Sequence, residues 1–233
     1  MELFDTHCHL NHNVFRADFG KVLERADHSG VNLFLVPGWD LASSKEAVRL
    51  SSLHPQLLAA VGIHPSDWQQ ASPETLKEIE HLAANPRVVA IGEIGLDKVS
   101  SVSFESQLLV FKTQLKMAEK AKKPVLLHAV RSMPEIIEIK KQFPAIPLWI
   151  IHGFRGGKQA AEQYLKKGFY LSFGPRFNKE GLLGCPIERL FLETDDSGED
   201  IGLVYEQVAQ VLDCSVESLE QQIERTFNSF FMK

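Results

Sequence analysis

The chain has only three cysteines, Cys8, Cys185 and Cys214, too few and too scattered for a disulfide framework or a zinc ribbon. That usage suits a reducing compartment, and the expected location is the cytoplasm. No apolar run reaches bilayer-spanning length and no basic-then-apolar leader pattern opens the sequence, so no membrane partner is expected. Low-complexity tracts, blocks of like charge and obvious linkers are missing as well. No Gly-x-Gly-x-x-Gly follows the first apolar run, which lowers a dinucleotide-binding reading. Lys and Arg (25) are outnumbered by Asp and Glu (30), for a net charge of −5. This excludes a broad basic surface for wrapping nucleic acid, but not a nucleic acid gripped locally by metal ions.

What is present is an alternation of short apolar runs with amphipathic stretches. The 233 residues are 44% hydrophobic and 24% charged, as in ordinary globular proteins. Eight runs read as strands: 3–5, 31–37, 57–63, 88–94, 125–128, 148–152, 169–173 and 190–194. Their apolar residues are continuous rather than alternating, the mark of parallel strands covered by helices. Helical spacing appears over 45–53, 73–84 (with Ser72 as N-cap), 107–122 and 219–230. The expected fold is α/β, a (β/α)8 TIM barrel formed as one domain over residues 1–233, with an open doubly wound sheet as the competitor.

The chemistry-bearing residues fall where these strands end, which in a barrel is where active sites lie. The first run ends in Asp5-Thr6-His7-Cys8-His9. A strand has a side-chain period of two, so Asp5, His7 and His9 share one side. Two imidazoles backed by a carboxylate make half a metal site; two exposed histidines at a strand end by chance is the competing reading. Later ends carry His64, Glu93 followed by Asp97, His128, His152, and Glu193-Thr194-Asp195. A buried carboxylate is costly unless paired or bound to a cation. Cys8 should point away from its neighbours and act as a small buried hydrophobe.

The order and spacing of these motifs resemble the TatD family of metal-dependent hydrolases, over nearly the whole chain. The strongest matches are Asp5-Thr6-His7-Cys8-His9-Leu10 and Gly92-Glu93-Ile94-Gly95-Leu96-Asp97. Weaker ones are Val61-Gly62-Ile63-His64-Pro65, Gln107 through Gln114-Leu115, Pro124 through His128, Ile151-His152-Gly153-Phe154 and Leu192-Glu193-Thr194-Asp195. The resemblance implies a metal-ligand set of His7, His9, Glu93, His128, His152 and Asp195. It implies two divalent ions, drawn from Zn²⁺, Mg²⁺, Mn²⁺, Fe²⁺ and Ni²⁺, with Glu93 bridging, His7 and His9 on one ion and His128 and His152 on the other. Asp195 and Glu93 are the implied catalytic residues, with Asp195 as general base to the attacking water. His64 and Arg131 are candidate substrate contacts, against the plainer readings of a backbone-bonded histidine and a surface arginine. Asp97 either orients a ligand or caps the next helix.

The resemblance implies a deoxyribonuclease that hydrolyses phosphodiesters with a metal-activated water. Departures from the family pattern keep two alternatives open. Lys98 follows Asp97 where the family has an aromatic, Ala129 stands where a small polar residue or Cys is usual, and a short acidic loop, Asp196 to Asp200, follows Asp195. Such a loop repels a polyanion. The alternatives are a hydrolase of small esters, amides or lactones, and a metal-binding partner protein without turnover. A monomer with no obligate protein partner is expected.

Overall fold

The computed structural model describes residues 3–15 and 18–232. Among them are eight strands: β1 Leu3–Asp5, β2 Val31–Pro37, β3 Leu57–Val61, β4 Val88–Asp97, β5 Val125–Val130, β6 Trp149–Ile151, β7 Tyr170–Phe173 and β8 Leu190–Leu192. All eight expected strands form, within a few residues at their ends. The α-helices are α1 Phe19–His28, α2 Leu41–Leu53, α3 Pro73–Ala83, α4 Phe104–Ala121, α5 Met133–Lys140, α6 Lys158–Lys166, α7 Lys179–Leu183, α8 Ile201–Leu212 and α9 Val216–Phe231. Ser72 caps α3 as expected, its side chain accepting from Thr75 N–H.

The strands make one sheet in chain order, β1 through β8. Beyond the strands themselves β8 returns to β1. Thr6 N–H donates to Leu192 O, Asp195 N–H to His7 O and His9 N–H to Asp195 O. A parallel sheet whose last strand pairs with its first is a (β/α)8 barrel. The chain packs as two compact units, one made of Met1–Val36 with His152–Lys233 and the other of Pro37–Ile151.

The first unit is held by aromatic packing of α9 on its strands. Phe227 lies 5.2 Å from Phe4 and 4.5 Å from Phe231, which meets Phe191 edge-on at 6.2 Å. The Tyr205 hydroxyl of α8 donates to Phe4 O and accepts from Phe4 N–H, satisfying both backbone groups of a β1 residue.

In the second unit α4 clamps two strand ends with two buried glutamines. Gln107 and Gln114 are seven residues apart, hence on one face of the helix. Gln114 accepts from Ile63 N–H (2.7 Å) and donates to Ile63 O (3.0 Å). Gln107 accepts from Asp97 N–H (2.7 Å) and donates to Asp97 O (2.8 Å). Each amide side chain stands in for the backbone partner that a strand loses where it ends, and thereby fixes the residues next to His64 and at Asp97.

Candidate metal centre

In the first unit His7, His9, His152 and Asp195 come together. Asp195 holds a left-handed backbone, φ 57°, which for a non-glycine residue costs about 1–3 kcal/mol. Its N–H and C=O both bond the extension of β1, to His7 and from His9, so the surroundings enforce that conformation. Its side chain is thereby aimed at the two imidazoles. His9 Nε2 lies 3.4 Å from Asp195 Oδ1, His7 Nε2 lies 3.9 Å from it, and the two Nε2 atoms are 3.4 Å apart. A divalent ion about 2.0–2.1 Å from each donor of a tetrahedral shell sets those donors about 3.3–3.4 Å apart. Two of the three edges have that length and the third, at 3.9 Å, is about 0.5 Å longer, so the three donors are close enough to converge on one cation and the residues fit a metal ion.

The surroundings tune these donors. Burial works to raise the Asp195 pKa, but hydrogen bonding from His9 and the charges of His7 and His152 outweigh it and hold the carboxyl well below its ordinary value. Asp195 is thus an ionised acceptor across the working pH range. The His152 ring stacks on His7 at 4.0 Å, and its Nδ1 lies 3.5 Å from Glu193 Oε1. Glu193 is fully buried and the same oxygen accepts from Gly153 N–H at 2.6 Å. Asp5 is buried beneath the cluster: Oδ1 accepts from His7 N–H (3.3 Å) and Thr194 N–H (3.2 Å), and Oδ2 bonds the Thr194 hydroxyl (2.6 Å). It locks the end of β1 to the end of β8 rather than serving as a donor.

In the second unit Glu93, His64 and His128 form another set. Glu93 Oε1 is 3.2 Å from His128 Nδ1 and 3.4 Å from His64 Nε2. The other nitrogen of His128, Nε2, bonds Asp97 Oδ2 at 3.1 Å. Asp97 is fixed in turn by Val99 N–H (2.7 Å) and Ser100 N–H (3.1 Å). Burial opposes ionisation of Asp97, yet these amides and His128 bring its pKa below the ordinary value. With a cation held between Nδ1 and Glu93, an ionised Asp97 would keep the His128 proton on Nε2, the usual support of a metal-ligating histidine. Of the two readings of Asp97, the structure shows the orienting one. His64 differs: its Nδ1 accepts from Ser66 N–H at 3.2 Å, so neutral His64 carries its proton on Nε2. It then presents a donor, toward Glu93 or a substrate oxygen, rather than a lone pair.

Gly95 makes room for His128. A Cβ there would stand 1.9 Å from the His128 carbonyl oxygen, and the φ of +152° is one that residues with side chains rarely adopt.

Each unit can be described by the expected residues it carries. His7, His9, His152 and Asp195 share one, and Glu93, His64 and His128 share the other. The ring of His152 stacks on His7 within its own unit. Arg131 lies just past β5, exposed, with φ 51°. Sequence reasoning passed over Glu193, although it carries the signal that singled out Glu93, a carboxylate continuing an apolar strand.

A model of the TatD related DNase family matches residues 4–232. The chain belongs to the TatD family. The uncharacterized metal-dependent hydrolase YabD of Bacillus subtilis is 34% identical over 202 residues, 83% of this chain and 79% of that protein. The 3'-5' ssDNA/RNA exonuclease TatD of Erwinia tasmaniensis is 32% identical over 205 residues, 83% of this chain and 79% of that protein. The crystal structure of the TatD homologue YjjV from Escherichia coli superposes with a TM-score of 0.91 at 26% identity, covering 99% of this chain and 98% of that one. This TatD-family chain is accordingly a metal-dependent hydrolase with the (β/α)8 fold.

Proposed function

We propose that the chain hydrolyses phosphodiester bonds of single-stranded nucleic acid with two divalent ions. The observation that carries this reading is the convergence of His7 Nε2, His9 Nε2 and Asp195 Oδ1, 3.4–3.9 Å from one another, close enough to share one cation. The first ion is assigned to His7, His9, His152 and Asp195, the second to Glu93 and His128. The mixed nitrogen and oxygen donors suit Zn²⁺, Mn²⁺, Fe²⁺ or Ni²⁺, and Mg²⁺ with additional waters. When bound, such ions lower the pKa of water toward neutrality and neutralise charge on a phosphoryl oxygen.

The residues supply the rest. Asp195, ionised and held by three imidazoles, accepts a hydrogen bond from the attacking water, aligns its lone pair with phosphorus and takes its proton. Asp97 keeps the His128 proton on the nitrogen remote from the ion. His64, with its proton on Nε2, donates to a non-bridging oxygen of the substrate, and Arg131 grips a phosphate farther along the strand. Relatives named as single-strand exonucleases support nucleic acid as the substrate. A cytoplasmic location is part of the same reading, supported by three free cysteines, and so is a monomeric chain.

The test incubates protein purified without chelator with labelled single-stranded DNA, single-stranded RNA, duplex DNA and a panel of small esters and lactones, each with Mg²⁺, Mn²⁺ or Zn²⁺. Cleavage of the single strands, abolished by Asp195→Asn, is expected. Turnover of the small esters alone would replace this reading with that of a small-molecule hydrolase.

A further inference from the structure

The loops that follow His152 and β7 each carry an arginine, and both line one cleft with Asp195. Arg155 comes three residues after His152, and Arg176 three residues after Phe173. The cleft, small and open to solvent, is lined by both arginines, Gly153, Gly174, Glu193, and the segment from Thr194 to Ser197. Gly153 and Gly174 give it a floor without side chains: a Cβ on either would sit 3.6–3.7 Å from the buried Glu193. Both arginines are exposed. Neither has a hydrogen bond or ion pair among the described residues, and Asp196, on the same cleft, is not bonded to them. Several other cations beside carboxylates are engaged, as Arg49 is with Glu46 and Lys98 with Glu135.

Two guanidinium groups standing free beside an ionised aspartate need an anion of a particular kind. A planar fork with parallel N–H donors matches the non-bridging oxygens of a phosphate and can bind them bidentately. The glycine floor lets a backbone phosphate approach without steric cost. The position, flanking Asp195, is that of a phosphate next to the one being attacked.

We propose that Arg155 and Arg176 form a clamp for the backbone phosphate adjacent to the scissile bond of a single strand. This proposal rests on the nuclease reading above and deepens it. It also assigns the choice between a phosphodiester and a neutral ester to this arginine pair rather than to the net charge of the protein.

The experiment compares wild type, Arg155→Ala/Arg176→Ala and Arg155→Lys/Arg176→Lys. Binding of a labelled single strand of about 12 nucleotides is read by fluorescence anisotropy in chelator over a series of salt concentrations. Cleavage is read with Mn²⁺ on the same strand and on the neutral ester p-nitrophenyl acetate, with melting temperature and metal content as controls. The alanine pair should bind the strand at least about tenfold more weakly, the loss of one charge-assisted contact. Its slope of log K against log salt should fall by about 0.7 to 1.4, for one or two lost phosphate contacts. KM for the strand should rise while ester turnover, melting and metal content stay unchanged. The lysine pair should recover the salt slope and only part of the affinity. If wild type cleaves the strand and the alanine pair matches it in affinity and slope, the clamp is refuted and the nuclease reading stands. If wild type neither binds nor cleaves the strand but turns over the ester, the nuclease reading falls and takes the clamp with it. If inorganic phosphate displaces the strand from wild type at equal concentration, the pair holds a free phosphate and the backbone assignment is overturned.

Discussion

Replacing Asp97 by Asn isolates one hydrogen atom. The Asp97 carboxylate accepts from Val99 and Ser100 N–H through Oδ1 and meets His128 Nε2 at 3.1 Å through Oδ2. An asparagine retains Oδ1 for the two amides, so the turn after β4 survives, and Gln107 still holds the backbone of residue 97. Its Nδ2 donates, however, where the carboxylate accepted. His128 then answers with a lone pair on Nε2, and its proton moves to Nδ1, which faces Glu93 at 3.2 Å. The donor intended for the cation becomes an N–H. Losing such a supporting partner weakens metal binding about 10- to 100-fold, or about 1.4–2.7 kcal/mol. Titration of chelator-stripped protein with Zn²⁺ or Mn²⁺ should show one of two sites weakened or lost, with the other unchanged. The melting temperature without metal should move little. Two unaltered binding constants would refute the tautomer argument and the assignment of an ion to Glu93 and His128.

Three further predictions follow from the same contacts. Burial pushes the Asp5 carboxyl up to about 7, against the hydrogen bonds from Thr194 and His7 that pull it down. The folded chain therefore keeps a proton that the unfolded chain releases near 3.8, so this contribution is full below about pH 4 and is lost as pH rises through 7; Asp5→Asn, which keeps the acceptor for both amides, should flatten that limb in urea denaturation of chelated protein, and parallel curves would sink the idea. Gly95→Ala drives a Cβ into the His128 carbonyl and should cost at least about 2 kcal/mol together with one bound metal ion, read by denaturation and metal analysis; normal metal content would contradict it. Burial raises the thiol of Cys8 well above its usual value and that of Cys185 to about 12, whereas Cys214 is only half-buried; Ellman's reagent should find one reactive thiol in the native protein and three in denaturant.

The strands were legible because a parallel strand buried on both faces must be apolar throughout, and any His, Asp or Glu at its end then stands out. That rule found Asp5, His7, His9, Glu93, His128, His152 and Asp195 from one sequence. It failed on partners that act through the backbone. Gln107 and Gln114 sit in a helix whose apolar spacing absorbs attention, and a buried glutamine looks like a solvated one until Ile63 and Asp97 are known to lie beside it. Glu193 was read as part of a strand end without a role, because the oxygen it offers goes to Gly153 N–H across 40 positions of sequence. Which imidazole meets which was the least legible part: identity and order of the candidate donors are written along the chain, while the stacking of His152 on His7 depends on loop geometry after the strands.

The acidic loop shows where counting charge misleads. Read along the chain, Asp195, Asp196, Glu199 and Asp200 form a run that should repel a polyanion. The structure divides it by task. Asp195 is turned inward by its left-handed backbone and meets His7 and His9. Asp200 caps α8, accepting from Gly202 N–H, where the helix dipole favours a negative charge, and also accepts from the Ser29 hydroxyl. Ser197 fastens the turn, donating to Thr194 O and accepting from Glu199 N–H. Of the four acids only Asp196 and Glu199 face solvent without such work, and Asp196 shares its cleft with two arginines. At physiological salt the charge of Glu199 is screened over about 8 Å. Charges within a few ångströms of a bound phosphate, not the formal sum of −5, decide what the cleft accepts. Removing Asp196 as Asn should therefore strengthen single-strand binding by no more than about fivefold, the upper range of one exposed charge pair, while losing the arginine pair costs more than that gain. An Asp196→Asn effect larger than the arginine effect would return the decision to the acidic loop and favour a small uncharged substrate.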